Sequence, residues 1–379
     1  MYKEVKVASA TELQQLFQTA TAEDTPVYVY RQGEGIQVDL HDMNRIVEID
    51  KDNLVATVEP GVKLKDLAEE LQRQGLRFVP AELVGLEEQS VGEWVYTGCA
   101  NPLAWKYGGG KFFLMGGEFV LPDGRLLVTG GKTVKNVTGY DFVRFLNGAY
   151  SDFAVGVKFL LKLLPQAAAT CCLELQLPTL EKALAFVEEL RQQPAVPAGL
   201  FWLDEAVQQQ VALGDGQKLW LRFDGVQEEV AEQAAWAKDA VRAKQGQVLG
   251  EGAGLPALSA FSWGQAFVLT DEYKIPFPQV EDFLTKALQA GSALGLQPGF
   301  FGQLGEGKLH LALPSGATIP ASLVRQLQGV ARELGGACSG KFERLYGTAA
   351  QGPLAAIEQQ MKKRFDPRGI LNRQGGAGL

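Results

Sequence analysis

The stretch Gly130-Gly-Lys-Thr-Val-Lys-Asn-Val-Thr-Gly-Tyr-Asp141 is the least ordinary dozen residues of the chain. It follows a strand-like run, Glu118–Leu121, and the tight turn Pro122-Asp-Gly-Arg125. Its glycines permit positive φ and close approach of a ligand, while Lys132, Thr133, Lys135, Asn136, Thr138 and Tyr140 supply donors without an apolar face to bury. Such a segment is either a solvated surface loop or the lining of a site. Downstream the chain runs through Phe142-Val-Arg-Phe-Leu146 to Leu161-Lys-Leu-Leu-Pro165.

Upstream, Ser9 is placed to cap a short helix with Leu13, Leu16 and Phe17 at helical spacing. Pro26-Val-Tyr-Val-Tyr30 reads as a strand, and Arg31-Gln-Gly-Glu-Gly35 turns the chain into Ile36–Leu40. Asn44–Asp50 and Leu54–Gly61 alternate as two strands of an antiparallel hairpin. Leu64–Gln74 is an amphipathic helix that Gly75 stops. Beyond Gln166, helix and strand patterns alternate: strands at Leu173–Leu177, Gly199–Leu203, Lys218–Asp224, Gln297–Gln303 and Leu309–Leu313, with helices at Leu180–Gln192, Glu228–Gln245, Val280–Leu294 and Ile319–Leu334. They imply one large antiparallel sheet with helices on one side, assembled from ferredoxin-like halves.

A chain of 379 residues, 46% hydrophobic, is long enough for two domains with cores of their own. Its net charge of −8 and pI near 5.1 argue against nucleic acid as a partner, since phosphate binding needs clustered basic surface. Four scattered cysteines, Cys99, Cys171, Cys172 and Cys338, read as reduced thiols and not as a metal site. No apolar leader and no stretch of transmembrane length is evident, so a cytoplasmic protein is expected, or one held at a membrane surface through a partner. His41 and His310 are the only histidines, which limits any imidazole chemistry.

The central loop, in its order and its flanks, resembles the FAD-linked oxidases that include the glycolate oxidase and D-lactate dehydrogenase flavoproteins. In that family the same twelve residues lead into a short helix and then a strand ending in Leu-Lys-Leu-Leu-Pro. The resemblance covers Asn44–Pro165 closely and Gly302–Asn372 in frame. It implies an α+β fold: a two-subdomain PCMH-type FAD-binding domain over 1–165, a ferredoxin-like cap with an antiparallel sheet over 166–350, and a C-terminal return helix and tail over 351–379.

FAD is the implied cofactor. The implied contacts are Lys132, Thr133, Lys135, Asn136, Val137, Thr138, Gly139, Tyr140 and Asp141 in the central loop, and Gly92, Thr97, Gly98 and Asn101 in the family's second diphosphate loop. Lys106 is either a phosphate contact or a solvated lysine at a turn, and Asn372 is implied near the flavin ring. Three departures bear on this site. The turn at Arg31–Gly35 replaces a longer glycine-rich loop whose backbone cradles the pyrophosphate. Glu93 and Trp94 replace a small residue and an amide, and a carboxylate repels a diphosphate unless it turns away. Tyr150 and Phe153 fill small positions, where they either enter the flavin's space or cover a core.

Family enzymes that oxidise 2-hydroxy acids carry cap histidines in a Gly-His-x-Gly-Asp-Gly-Asn-x-His motif. Here Gly302-Gln-Leu-Gly-Glu-Gly-Lys-Leu-His310 keeps the frame with Gln303 at the first histidine, and Ser339–Glu343 lacks the histidine of a second motif. An amide cannot accept the substrate proton, which leaves His310 as candidate base or as a histidine hydrogen-bonded at a strand edge. Lys341, Arg344 and Tyr346 form a basic-aromatic cluster, either a carboxylate site or a surface turn.

The pattern of lost cap histidines and a retained central loop resembles the E subunit of glycolate oxidase. That implies a complex with a catalytic flavoprotein of the same fold and an iron–sulfur subunit, since this chain has too few clustered cysteines to hold a cluster. Three readings stand: an FAD-binding subunit that assists glycolate or lactate oxidation or relays its electrons, a silent scaffold that has lost its flavin, and an independent oxidase using His310.

Overall fold

The computed structural model describes residues 3–82, 88–98, 101, 103–132, 140–149, 151–210, 215–252, 267–314, 320–339 and 353–373. In chain order the elements are β1 (Lys3–Lys6), α1 (Ala10–Ala22), β2 (Val27–Val29), β3 (Ile36–Asp39), β4 (Ile46–Asp50), β5 (Val55–Val58), α2 (Leu64–Arg73), β6 (Leu76–Arg77), α3 (Val91–Tyr96), α4 (Ala104–Tyr107), β7 (Leu114–Val120), β8 (Leu126–Gly130), α5 (Phe142–Leu146), β9 (Val155–Lys162) and β10 (Leu164–Pro165). They continue as β11 (Ala169–Leu177), α6 (Leu180–Arg191), β12 (Gly199–Leu203), α7 (Glu205–Gln210), β13 (Gln217–Gly225), α8 (Gln227–Ala243), β14 (Gln247–Gly252), β15 (Phe267–Lys274), α9 (Val280–Ser292), β16 (Gly299–Gln303), β17 (Lys308–Pro314), α10 (Ala321–Glu333), β18 (Ala337–Cys338) and α11 (Pro353–Phe365).

Two compact units share this chain. Unit one gathers Met1–Asn101, Gly109–Gln166 and Glu343–Leu379; unit two gathers Pro102–Gly108 and Ala167–Phe342.

In unit one, Ser9 caps α1 by accepting from the Glu12 N–H at 3.2 Å, and Leu13, Phe17 and Ala20 turn inward. They pack on Val27, Val29 and Val38 of a small parallel sheet, ordered β1-β3-β2. Consecutive parallel strands usually need a crossover of a dozen or more residues. Here six residues, Tyr30–Gly35, reverse the chain twice between β2 and β3, and Tyr30 takes a left-handed φ of 55° to begin the reversal. The C-terminal return closes the same sheet: Val27 donates to the Ile370 carbonyl at 2.8 Å, and Asn372 donates back to the Val27 carbonyl at 2.8 Å.

A second, antiparallel sheet of unit one is ordered β4-β5-β9-β7-β8. The expected hairpin appears as β4 and β5, and the Pro122–Arg125 turn joins β7 to β8, with Gly124 at φ 83°.

Unit two is an eight-stranded antiparallel sheet ordered β14-β11-β13-β12-β16-β17-β15-β18. Each half follows the order strand, helix, strand, strand, helix, strand, with the short α7 added between β12 and β13 in the first, so two ferredoxin-like halves join edge to edge through β12 and β16, as the alternating pattern implies. One face carries Leu173, Trp202, Leu221, Phe300 and Leu311 into a core with Phe186 of α6 and Phe283 of α9.

Asp204 sits where β12 turns into α7 and accepts from Val207 N–H at 2.7 Å and Phe300 N–H at 2.6 Å. Burial pushes its carboxyl up to about 7 against these bonds. A carboxyl raised on folding binds its proton more tightly in the native chain, so its stabilisation is full below the ordinary carboxylate range and is lost as pH climbs through about 7. Urea midpoints should therefore fall between about pH 5 and about pH 8, and Asp204→Asn should shrink that fall. An equal fall in both proteins would refute the assignment.

Candidate functional site

Helix α3 opens on a capping box. Ser90 Oγ accepts from the Glu93 N–H at 3.2 Å while the Ser90 N–H donates to Glu93 Oε2 at 2.8 Å. Glu93 is thus folded back on its own helix start. Trp94 is fully buried and meets Phe78 edge-on at 5.1 Å, with Phe113 next in line at 6.0 Å from Phe78. It is a core residue of unit one. Thr97 donates its hydroxyl to the Glu93 carbonyl at 2.9 Å and so ends the helix. At Gly98 (φ 97°) bare backbone meets bare backbone: a Cβ on Gly148 would lie 2.9 Å from the Gly98 Cα. Asn101 is buried.

Gly92 faces a different neighbour. A Cβ there would stand 2.0 Å from the Tyr30 hydroxyl oxygen and 2.9 Å from the Pro60 Cβ. Tyr30 lies against Tyr96 with ring centroids 5.1 Å apart, Arg31 Nε donates to the Tyr96 hydroxyl at 3.2 Å, and the Arg31 guanidinium pairs with Asp152 at 3.1 Å. Burial drives the Tyr30 hydroxyl well above the usual tyrosine range. Ser90 lies close to it, yet the buried oxygen makes no hydrogen bond of ordinary geometry. None of these four residues stands out in the sequence; the signal for Tyr30 is its place at the head of the shortened turn.

Of the central loop, Lys132, Tyr140 and Asp141 are described; Thr133, Lys135, Asn136, Val137, Thr138 and Gly139 lie outside the described residues, as does Tyr150. Lys132 Nζ is 2.8 Å from both Glu48 carboxylate oxygens and 3.1 Å from Asp50. Hydrogen bonds from Asn53, and then from Lys132, lower the Asp50 carboxyl to about 2. Tyr140 is 88% exposed, and Asp141 caps α5 by accepting from the Arg144 N–H at 3.0 Å. Phe153 packs 4.7 Å from Phe145 and 5.6 Å from Phe365, so it covers a core.

Two predicted contacts are engaged by protein groups. The Asn372 carboxamide, buried, accepts from the Val29 N–H at 3.0 Å and donates to the Ser151 carbonyl at 3.2 Å. It staples the C-terminal return to β2. Lys106 belongs to unit two, where its ammonium donates to the Asp224 carbonyl. Beside it Tyr107 donates to Asp224 Oδ2 at 3.1 Å and Arg222 Nε donates to Oδ1 at 2.8 Å.

On the unit-two sheet, His310 of β17 stacks on its cross-strand partner Phe301 at 5.1 Å, with rings 18° apart. Its Nε2 is 3.7 Å from the Glu272 carboxylate of β15. A carboxylate and an aromatic face fix the ring, an arrangement suited to orienting an imidazole. Gln303 ends β16, and Lys308 pairs with Glu306 at 2.6 Å. Lys341, Arg344 and Tyr346 lie outside the described residues. Among the described residues no group of three side chains is placed to hold a metal, and no helix is long and apolar enough to cross a membrane.

Residues 165–374 match the family described as FAD linked oxidases, C-terminal domain, and residues 3–130 match the one described as FAD binding domain. The chain belongs to the FAD-linked oxidases. It is 26% identical to D-lactate dehydrogenase of Anaerostipes hadrus, over 90% of this chain and 79% of that protein. It is 28% identical to glycolate oxidase subunit GlcE of Escherichia coli, over 53% of this chain and 54% of that subunit. The solved structure of p-cresol methylhydroxylase superposes with a TM-score of 0.71 at 15% identity, covering 99% of this chain and 88% of that one. The fold is therefore the PCMH type, an α+β architecture, and the first domain of this oxidase is an FAD-binding domain.

Along the loop that the resemblance implies for a diphosphate, the fit to the cofactor differs from residue to residue. Glu93 turns away and Trp94 is in the core, so neither obstructs a diphosphate. At Gly92, a contact that the resemblance implies, the Tyr30 hydroxyl already stands against the backbone.

Proposed function

We propose that this FAD-linked oxidase is the FAD-binding subunit of a hetero-oligomeric 2-hydroxy acid oxidase or dehydrogenase acting on glycolate or lactate. It assists, or relays electrons, beside a catalytic flavoprotein of the same fold and an iron–sulfur subunit, in the cytoplasm or at a membrane reached through those partners. The observation that carries this reading is the single imidazole of unit two. His310, oriented by Phe301 and Glu272, faces no second histidine in the chain's cap, and Gln303 cannot take a proton. Relatives that include a glycolate oxidase subunit and a D-lactate dehydrogenase support the substrate class.

The test is to purify the chain alone and with its co-purifying partners, release and quantify flavin, and assay glycolate and D-lactate oxidation with an artificial electron acceptor. The expected result is FAD near one per chain, no turnover alone and turnover in the complex. Turnover by the isolated chain, lost in His310→Ala, would replace this reading with an independent oxidase. Tyr30 against Gly92 favours a second reading, a structural subunit without flavin; a colourless chain that joins a yellow partner would establish it.

A further inference from the structure

We propose that β8 is the seam of a symmetric dimer, in which the open edges of two copies of this chain pair antiparallel about Val128 and join their five-stranded sheets into one. The contact needs no flavin, and it adds to the assembly proposed above a pairing of the chain with itself.

β8 is the outermost strand of its sheet, with β7 on one side and no described strand on the other. The Leu121 N–H donates to the Arg125 carbonyl at 2.9 Å and the Gly131 N–H to the Met115 carbonyl at 3.3 Å, which fixes the phase of the ladder between them. Leu127 and Thr129 therefore turn their backbone groups to β7, while Leu126, Val128 and Gly130 turn theirs outward. Those three are also the exposed residues of the strand, Leu126 at 41% and Val128 at 66%.

An open edge is normally guarded by charge, proline, a bulge, brevity or a cover. The other edges of the described sheets are guarded. β1 carries Lys3, Glu4 and Lys6, and the C-terminal return covers β2 at Leu371. β4 is bulged between Ile46 and Glu48 and charged by Glu48 and Asp50, and β14 is bulged and carries Glu251. β6, β10 and β18 have two residues each. β8 reads Leu126-Leu-Val-Thr-Gly130, with no charge, no proline and an unbroken register on β7. A row of outward backbone donors and acceptors is complementary to another extended polypeptide.

The strand is its own complement. About a two-fold axis through Val128, Leu126 faces the second copy's Gly130 and Val128 faces the second copy's Val128, so every outward-facing residue meets another and each pair exchanges two N–H···O=C bonds. The larger side chain lies over the residue that has none, and the two valines meet on the axis. Charge does not oppose the contact. Asp123 and Arg125 beside the strand pair with each other at 2.7 Å, and Glu118, opposite Val128 on β7, pairs with Lys158 at 2.7 Å. The seam is narrower than an obligate interface, so the dimer is reversible and forms with rising concentration.

Sedimentation velocity of the full-length chain over a concentration series reads the association. The wild type should pass from monomer to dimer with a dissociation constant on the order of micromolar. Val128→Lys and Val128→Glu each set like charges opposite one another on the axis and should weaken dimerisation about tenfold or more. An equimolar mixture of the two variants opposes unlike charges there and should recover the dimer to within a few-fold of wild type. Val128 is exposed, so both variants should melt as the wild type does. If either fails to fold, hydrogen exchange of the wild type decides. The amides of Leu126, Val128 and Gly130 should gain protection with concentration, while those of Leu127 and Thr129, turned to β7, stay unchanged.

A wild type that stays monomeric up to roughly 100 μM overturns the proposal. So do variants that dimerise as the wild type does, a mixture no better than its components, or outward amides that stay unprotected in the dimer. Pairing only with a different chain overturns it as well, and leaves the proposed 2-hydroxy acid complex standing.

Discussion

Trp94→Ala should destabilise unit one by about 3–5 kcal/mol, the usual cost of deleting a large aromatic from a closed core. Five of the six residues of α3 are buried, and Trp94, the largest, lies fully inside against Phe78. The helix is too short to persist on its own, so its place depends on that contact. Urea unfolding of flavin-free protein, followed by far-ultraviolet circular dichroism, should show a lower midpoint, with Trp94→Phe recovering much of the loss. Were Trp94 part of a cofactor cavity, its removal would leave the flavin-free midpoint almost unmoved. That outcome would reverse its assignment to the core.

Asp224→Ala should cost unit two a similar amount, about 3–5 kcal/mol, because it leaves a buried cation uncompensated. The Asp224 side chain is completely buried, the Arg222 side chain is 8% exposed, and Tyr107 donates to the same carboxylate. Removing the carboxylate takes an acceptor from two donors at once. Asp224→Asn keeps the shape and one acceptor, so it should lose less, and Tyr107→Phe less still. Melting of the full chain, read by hydrogen exchange in β11 and β13, localises the effect. A loss below about 1 kcal/mol would mean that water reaches Arg222 and that the cluster is no structural centre.

The repeating helix and strand periods after Gln166 were enough to read the paired ferredoxin-like halves, since each apolar face has one core to meet. The polar, glycine-containing β14 escaped, as its residues carry no period. Glu93 shows how a legible local signal can be overlooked: Ser90-x-x-Glu93 is a capping-box pattern, and only its position in a diphosphate loop made the carboxylate look like an obstacle. The local sequence of Lys106 leaves a phosphate contact or a solvated turn open, and its partner, the Asp224 carbonyl, lies 118 residues away, a separation that spacing cannot bridge. The same holds for Tyr30 and Gly92. Each is unremarkable in its own segment, and their meaning arises when the shortened β2–β3 reversal brings a ring to a helix start.

The bond between Val29 and Asn372, separated by 343 residues, also sets a timetable. At ribosomal speeds of about 5–20 residues per second, β2 waits roughly 20–70 s for the strand-like segment that completes its edge. During that interval the N-terminal sheet is an open edge in a crowded cell, a natural client for a chaperone. The first unit therefore gains its closing clasp only once the last residues of the return have left the ribosome.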